Sequence, residues 1–202
     1  PGVDWIAVYD HATEALAKKT GRPVKVIGNP VNFDQFYNSV KTRSFKDKSI
    51  KLLSVGALTH QRRFEDTVTA VSILRREGYD AKATIFCQDY WASKKYREEF
   101  KSHIKNSGVS NYLDIRFSGA SDRELLAAYQ ANDIFIFPTN VKIWGVAAFE
   151  AMASGLPTVV SRATDVAPVL QDGENTLLVD PCSPEQIVWA VTRLIQDPGL
   201  YK

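Results

Sequence analysis

Residues 138–161 read PTNVKIWGVAAFEAMASGLPTVVS, and this stretch sets the architecture. It follows Ile134 to Phe137, an apolar run too short for a helix and rich in β-branched and aromatic residues, which reads as a buried strand ending at Pro138. A loop with Trp144 and Gly145 then opens a helix over Val146 to Ser154, which Gly155 stops before a second strand at Thr158 to Val160. Gly145 allows the backbone to approach a ligand closely. The N–H groups of Val146 and Ala147, at the start of the helix, have no partner within it, and such a terminus favours phosphate. Glu150 lies one turn further in, beside Phe149 and Ala151. A carboxylate among apolar neighbours needs a partner. Sugar hydroxyls suit it, since one carboxylate accepts two hydrogen bonds; a hydrogen bond to a neighbouring loop, with no ligand, is the other reading.

Outward from this unit the pattern recurs. Asp4 to Tyr9, Val24 to Ile27, Leu52 to Val55, Ala83 to Cys87, Leu113 to Phe117 and Leu177 to Val179 read as further strands. Most lack clean polar alternation, as expected of strands buried on both faces. Helices are expected over Ala12 to Lys19, Phe64 to Glu77, Ser93 to Asn106, Asp122 to Ala131, Asp165 to Leu170 and Pro184 to Gln196. Ser121 with Glu124 is set as a capping box, and Ser183-Pro184 puts proline at a first helical position. Strands and helices alternating at this pitch predict an α/β fold, a doubly wound, Rossmann-like parallel sheet. A ligand is expected outside the carboxyl ends of the strands, where strand order reverses. Gly21, Arg22 and Pro23 interrupt the pattern early. Residues 1–21 are therefore expected to be a leading strand-helix unit, and residues 22–202 the main domain. The chain begins at Pro1 without methionine or an apolar leader, which predicts a domain excised from a larger protein.

Composition narrows the function classes. With 202 residues, 45% of them hydrophobic, the chain can bury a sizeable core. Its 25 basic residues against 23 acidic ones give no reason to expect nucleic acid. No apolar run approaches the roughly 20 residues of a transmembrane helix. Cys87 and Cys182 are isolated and form no Cys-x-x-Cys pair, which favours a reducing, cytoplasmic compartment. No dinucleotide fingerprint, Walker-type phosphate loop or nucleophile elbow is present. His11, His60 and His103 lack metal-ligand spacing, so no metal site is expected.

The 138–161 stretch resembles the carboxy-terminal, donor-binding domain of retaining GT-B glycosyltransferases of the glycogen-synthase and sucrose-synthase-like type. Trp144-Gly145, Glu150-Ala151-Met152-Ala153, Gly155 and Pro157-Thr158-Val159-Val160 fill the family pattern. Other blocks follow in the family's order: Val26 to Asn32 with Phe36, Leu53 to Leu58, Arg116 to Gly119 with Glu124-Leu125, and Asp172 to Asn175 with Leu177 to Val179. The resemblance covers about Val24 to Lys202, and it implies that residues 1–21 end an amino-terminal domain missing from the chain. It also implies a nucleotide diphosphate sugar as substrate, no cofactor and no metal. By the same resemblance Glu150 would bind the donor ribose, and Gly145, Val146 and Ala147 the diphosphate and sugar. Arg62, with Arg63 as fallback, would contact the diphosphate; a guanidinium suits phosphate geometry, and a solvated helix start is the plain reading of both arginines. Gly119 and Ala120 would lie beside the nucleobase, and Trp144 and Lys142 would belong to the donor site.

Two positions depart from the family. Ala57 stands where arginine usually follows the glycine of the first strand, and Lys142 where a glutamate usually contacts the transferred sugar. Lys142 could bring a positive charge near the phosphates, mark a degenerate site, or simply face solvent. The expected activity is hexose transfer from a nucleotide diphosphate sugar to a glycan, lipid or small acceptor, with the isolated chain inactive. The alternative is a non-catalytic nucleotide-sugar-binding or regulatory module. A nucleotide-sugar epimerase ranks last, because no acid/base pair is in view. Peripheral attachment of the full-length protein to a membrane stays open.

Overall fold

Alternate residues of nearly every core strand enter one of two apolar clusters, so the sheet is buried on both faces. The computed structural model describes residues 4–8, 11–27, 30–37 and 48–197. Tyr9 of the first expected strand, and Gly28 and Asn29 of the 26–36 block, lie outside the described residues, as do residues 1–3 and 198–202.

The elements run in chain order β1 (Ile6–Val8), α1 (His11–Lys18), β2 (Val24–Val26), α2 (Phe33–Tyr37), β3 (Ser49–Ala57), α3 (Phe64–Arg76), β4 (Asp80–Gln88), α4 (Lys94–Asn106), β5 (Leu113–Arg116), α5 (Asp122–Ala131), β6 (Ile134–Phe137), α6 (Val146–Ala153), β7 (Thr158–Ser161), β8 (Leu177–Val179) and α7 (Pro184–Gln196). Six of the strands form a parallel sheet in the order β5-β4-β3-β6-β7-β8. Leu52, Ile85, Ile136 and Val179 join α3, α4 and α7 in one cluster, through Phe64, Val71, Phe100 and Val191. Leu53, Phe86, Phe137 and Leu178 join α2, α5 and α6 in the other, through Phe36, Tyr129 and Ala151. Each large apolar side chain so buried contributes about 1.5–3 kcal/mol. Alanines 148 and 151 are fully buried on α6, and their small side chains let that helix lie close against the sheet.

Local signals fixed several boundaries. Ser121 and Glu124 form the reciprocal capping box of α5, Pro184 occupies the first turn of α7, and Gly155 follows α6 with φ +67°. One expected helix is corrected. Over Asp165 to Leu170 only a single 3-10 turn forms, at Ala167–Val169. Pro168 has no N–H to continue a helix, and the Thr164 hydroxyl takes the Ala167 N–H in a local turn. The short α2 was read as part of a sequence block and not as a helix. β1 and β2 pair in parallel, Ile6 opposite Val24 and Val8 opposite Val26, as a separate two-stranded sheet. This β-α-β unit runs across Gly21.

Candidate donor-binding site

The chain builds β3-β4-β5 to one side and then β6-β7-β8 to the other, so order reverses between β3 and β6. Those two strands pair only at Leu52 with Ile134 and Leu53 with Phe135. Beyond that, the Ser54 hydroxyl donates to the Ile136 carbonyl at 2.9 Å and is met by Thr67 Oγ1 at 3.1 Å, both side chains fully buried. The backbone register ends there, toward the carboxyl ends of the strands, the place where open α/β sheets hold ligands. The loops that follow are tied together: the Gln61 carbonyl accepts from Thr139 Oγ1 at 2.7 Å and from the Asn140 N–H at 3.0 Å.

Two residues expected in the site share the ring of Phe137, the last residue of β6. The Arg62 guanidinium carbon lies 5.3 Å from the ring centroid. A Cβ placed on Gly145 would come within 2.6 Å of the ring, so only glycine fits. Arg62 sits on a 3-10 turn before α3 and is half-buried, not on a solvated helix start. Among the described residues its side chain meets no carboxylate and no hydrogen-bond acceptor, and burial lowers its pKa. An arginine stays charged regardless. Gly56 leaves room for it, since a Cβ there would lie 3.2 Å from Arg62 Nε. Gly145 caps α6 without a side-chain partner, and the N–H groups of Val146 and Ala147 find no backbone acceptor among the described residues. An unpaired cation and free helix-start donors thus meet on one ring.

Glu150 follows on α6, half-buried. The Tyr129 hydroxyl, from α5, donates to its Oε2 at 2.8 Å and lies 3.2 Å from the Ala147 carbonyl. Burial raises the Glu150 pKa; Tyr129 opposes this and the charge of Asp122 adds to it. The carboxylate therefore has a protein partner on one oxygen, as the reading without a ligand required. Its Oε1 makes no hydrogen bond among the described residues.

Gly119 and Ala120 line a cavity of about 280 Å³ with Gly56, Ala57 and Gln88, at the ends of β3 and β4. Gly119 has φ +77°, and a Cβ on it would lie 3.3 Å from Gln88 Cβ. A larger cleft, about 500 Å³, lies between α2 and α6 and is lined by Val31, Phe33, Trp144, Phe149, Met152 and Ala153. It is apolar and carries none of the charged groups, so it is not the site argued here. Trp144 belongs to this cleft, with its indole N–H buried and without an acceptor among the described residues.

The remaining candidates separate. Arg63 grips the buried Asp66 with both arms, at 2.6 Å and 3.2 Å, and is committed to that pair. Lys142 is exposed and makes no ion pair among the described residues. Burial pushes the Cys87 thiol up to about 12, which leaves it unreactive near neutral pH. Among the described residues no three histidines, cysteines or carboxylates gather to hold a metal, and no helix is long and apolar enough to cross a membrane. Sequence reasoning missed Phe137, Gln61 and Tyr129. Phe137 was visible as the last strand residue before Pro138; nothing in the sequence marks the partner of a tyrosine hydroxyl or of a loop carbonyl.

The sequence profile of the glycosyl transferases group 1 matches residues 36–202. An uncharacterized glycosyltransferase of Methanocaldococcus jannaschii is 28% identical over 187 residues, covering 87% of this chain and 46% of that protein. The chain therefore spans less than half the length of that curated relative. Among solved structures, the C-terminal domain of a glycosyl transferase group 1 family protein (LpcC) from Francisella tularensis matches with TM-score 0.72 and 22% identity, over 85% of this chain and 91% of that one. Anabaena HepE, solved in complex with UDP and glucose, matches with TM-score 0.81 and 14% identity, over 98% of this chain and 55% of that one. At such identities these likenesses speak to the fold, an α/β domain with a six-stranded parallel sheet.

Proposed function

The chain belongs to the glycosyl transferases group 1, and from that premise we propose that it binds the nucleotide diphosphate sugar donor of a hexosyltransferase. The observation that carries the proposal is Arg62: a desolvated guanidinium without an anion among the described residues, at the reversal of strand order, on the ring that also seats the start of α6. A diphosphate supplies the missing negative charge, in the bidentate geometry arginine favours. The nucleobase enters the cavity at Gly119 and Ala120, the ribose hydroxyls bond Glu150, and the diphosphate rests on Arg62 and on the Val146 and Ala147 N–H groups. The UDP of the Anabaena neighbour supports a ligand of this class.

The reaction breaks the bond between the sugar's anomeric carbon and the diphosphate oxygen. It forms one to an acceptor hydroxyl, whose proton is lost. Charge develops on the departing diphosphate, and fixed donors already aimed at it stabilise the transition state. That chemistry needs no metal or cofactor. Retention of anomeric configuration is proposed from the family resemblance, and the acceptor site is assigned to an amino-terminal domain, of which residues 1–21, together with β2 that pairs with β1, would be the end. The two free cysteines accord with a cytoplasmic protein. Ala57 and the solvent-facing Lys142 favour a second reading, a binding or regulatory module that no longer transfers sugar.

Calorimetric titration of the chain with UDP, ADP and GDP, and with the three nucleosides, tests the proposal. One diphosphate should bind, and its nucleoside at least tenfold more weakly. Absence of binding by every diphosphate refutes the assignment. Sugar transfer by a protein carrying both domains, but not by this chain, separates the enzyme from the module.

A further inference from the structure

The ribose carboxylate is held by a residue that would not itself touch the donor. Tyr129 is fully buried on α5, its ring packed edge-on against Phe36 at 5.7 Å and tilted against Phe135 at 6.0 Å. Its hydroxyl reaches α6 twice, at Glu150 Oε2 (2.8 Å) and at the Ala147 carbonyl (3.2 Å). A phenol has one proton, and it goes to the closer, charged acceptor. We propose that Tyr129 is the positioning residue of the donor site, fixing one oxygen of Glu150 so that the other is presented to the ribose. This rests on the reading of Glu150 as the ribose ligand.

The geometry supports the assignment in two ways. Tyr129 sits in a wall of rings and alanines, so its hydroxyl has little freedom to follow another acceptor. The side chain it holds has no other hydrogen bond among the described residues, so without Tyr129 the glutamate's three side-chain torsions would be released. Binding would then bear the entropy of ordering them. The charged groups facing Glu150 are few: among the described residues Asp122 acts on its carboxyl from α5, and no cation does so. The tyrosine is thus the main support of the ionised form against burial. Protonation of Glu150 would reverse the pair. The carboxyl would donate to Tyr129, whose proton could turn to Ala147, leaving the helix seated but the ribose acceptor impaired.

Y129F keeps the ring and removes the hydroxyl. Calorimetry is run with UDP and with 2′,3′-dideoxy-UDP (or with the base found to bind) on four proteins: wild type, Y129F, E150Q and the double variant. The expected result is a three- to tenfold loss for the ribonucleotide in Y129F, with the dideoxy compound unaffected and no further loss when Y129F is added to E150Q. The pH at which ribonucleotide affinity declines on acidification should also move upward in Y129F, since Glu150 loses the donor that favours its charged form. If wild type and E150Q behave as a ribose ligand requires but Y129F matches wild type, Tyr129 is only a packing residue and the inference fails alone. If E150Q leaves ribonucleotide affinity unchanged, the reading of Glu150 fails and takes the inference with it. Should Y129F not fold, the wild-type chain decides by proton NMR. A slowly exchanging hydroxyl resonance shifted by E150Q supports the contact, and its absence overturns it.

Discussion

Replacing Arg62 by alanine separates binding from folding in this site. The guanidinium is desolvated and meets no anion among the described residues, so its removal breaks no ion pair there. It does forfeit the contact with Phe137, worth about 0.5–1 kcal/mol as a cation–π pair, and it relieves a burial cost of opposite sign. The unliganded melting temperature should therefore move by no more than about 2–4 °C, the equivalent of about 1 kcal/mol for a domain of this size. With a diphosphate present the balance differs. Hydrogen bonds to a charged group contribute about 1.5–3 kcal/mol, so R62A should weaken a nucleoside diphosphate by about ten- to a hundredfold. At a ligand concentration of 100 times the wild-type Kd, binding stabilises the wild-type fold by about 2.7 kcal/mol; in R62A the same concentration should give about 0.4–1.4 kcal/mol. R62K, a point charge without the fork, should fall between. Thermal melts with and without nucleotide, beside calorimetry, read both quantities. Unchanged affinity in R62A, or a free chain destabilised by several kcal/mol, would refute the reasoning.

Three further outcomes follow from the same geometry. Gly145→Ala places a methyl 2.6 Å from the ring of Phe137, which is 2% exposed; the loss should be about 1–3 kcal/mol of stability by overpacking, with nucleotide affinity falling as well, both measurable by melt and titration. Arg63→Ala should destabilise the fold without weakening nucleotide binding, because it strands Asp66, 3% exposed, as a buried charge. Burial already holds the Asp66 pKa above 3.8 despite Arg63. The raised folded-state value means stability is lost as pH rises from 3.8 through that value, and R63A raises it further, so the variant's deficit in melting temperature should be largest near neutral pH and shrink on acidification. Lys142→Glu, at an exposed position, should change affinity less than threefold, with the change vanishing as salt is added; a larger loss that survives salt would put Lys142 at the phosphates.

What could be read from the chain beforehand depended on the range of the signal. β6, β8, α5 and α7 have the expected boundaries because local chemistry sets them: an unbroken apolar run for the strands, the Ser121–Glu124 box for α5 and Pro184 for α7. The 165–170 helix does not form for the opposite reason: Pro168 has no N–H to continue it, and only a 3-10 turn results. β3 and β4 run beyond their expected ends because polar and glycine positions such as Ser49 and Gly56 are carried by a ladder with a neighbour 31 residues away. In the site, the glycines and the helix start were legible as backbone requirements. The choice between Arg62 and Arg63 was not. Adjacent in sequence, they differ by a left-handed turn at Arg63, φ +53°, that sends one guanidinium to Asp66 and the other to Phe137.

The short ladder between β3 and β6 carries a mechanical consequence. With pairing at two register positions, against nine between β3 and β4, the seam joins a β3-β4-β5 plate to a β6-β7-β8 plate, and the Ser54 hydroxyl crosses it to the Ile136 carbonyl. The cavity at Gly119 lies at the ends of β3 and β4, and Glu150 lies on α6, between β6 and β7. A nucleotide lying from that cavity to Glu150 would bridge the plates and clamp them, so the ligand would act as a structural member of the domain. The seam should then be where bound nucleotide most slows amide hydrogen exchange, at the Asp133 N–H that crosses it to the Lys51 carbonyl at 2.8 Å.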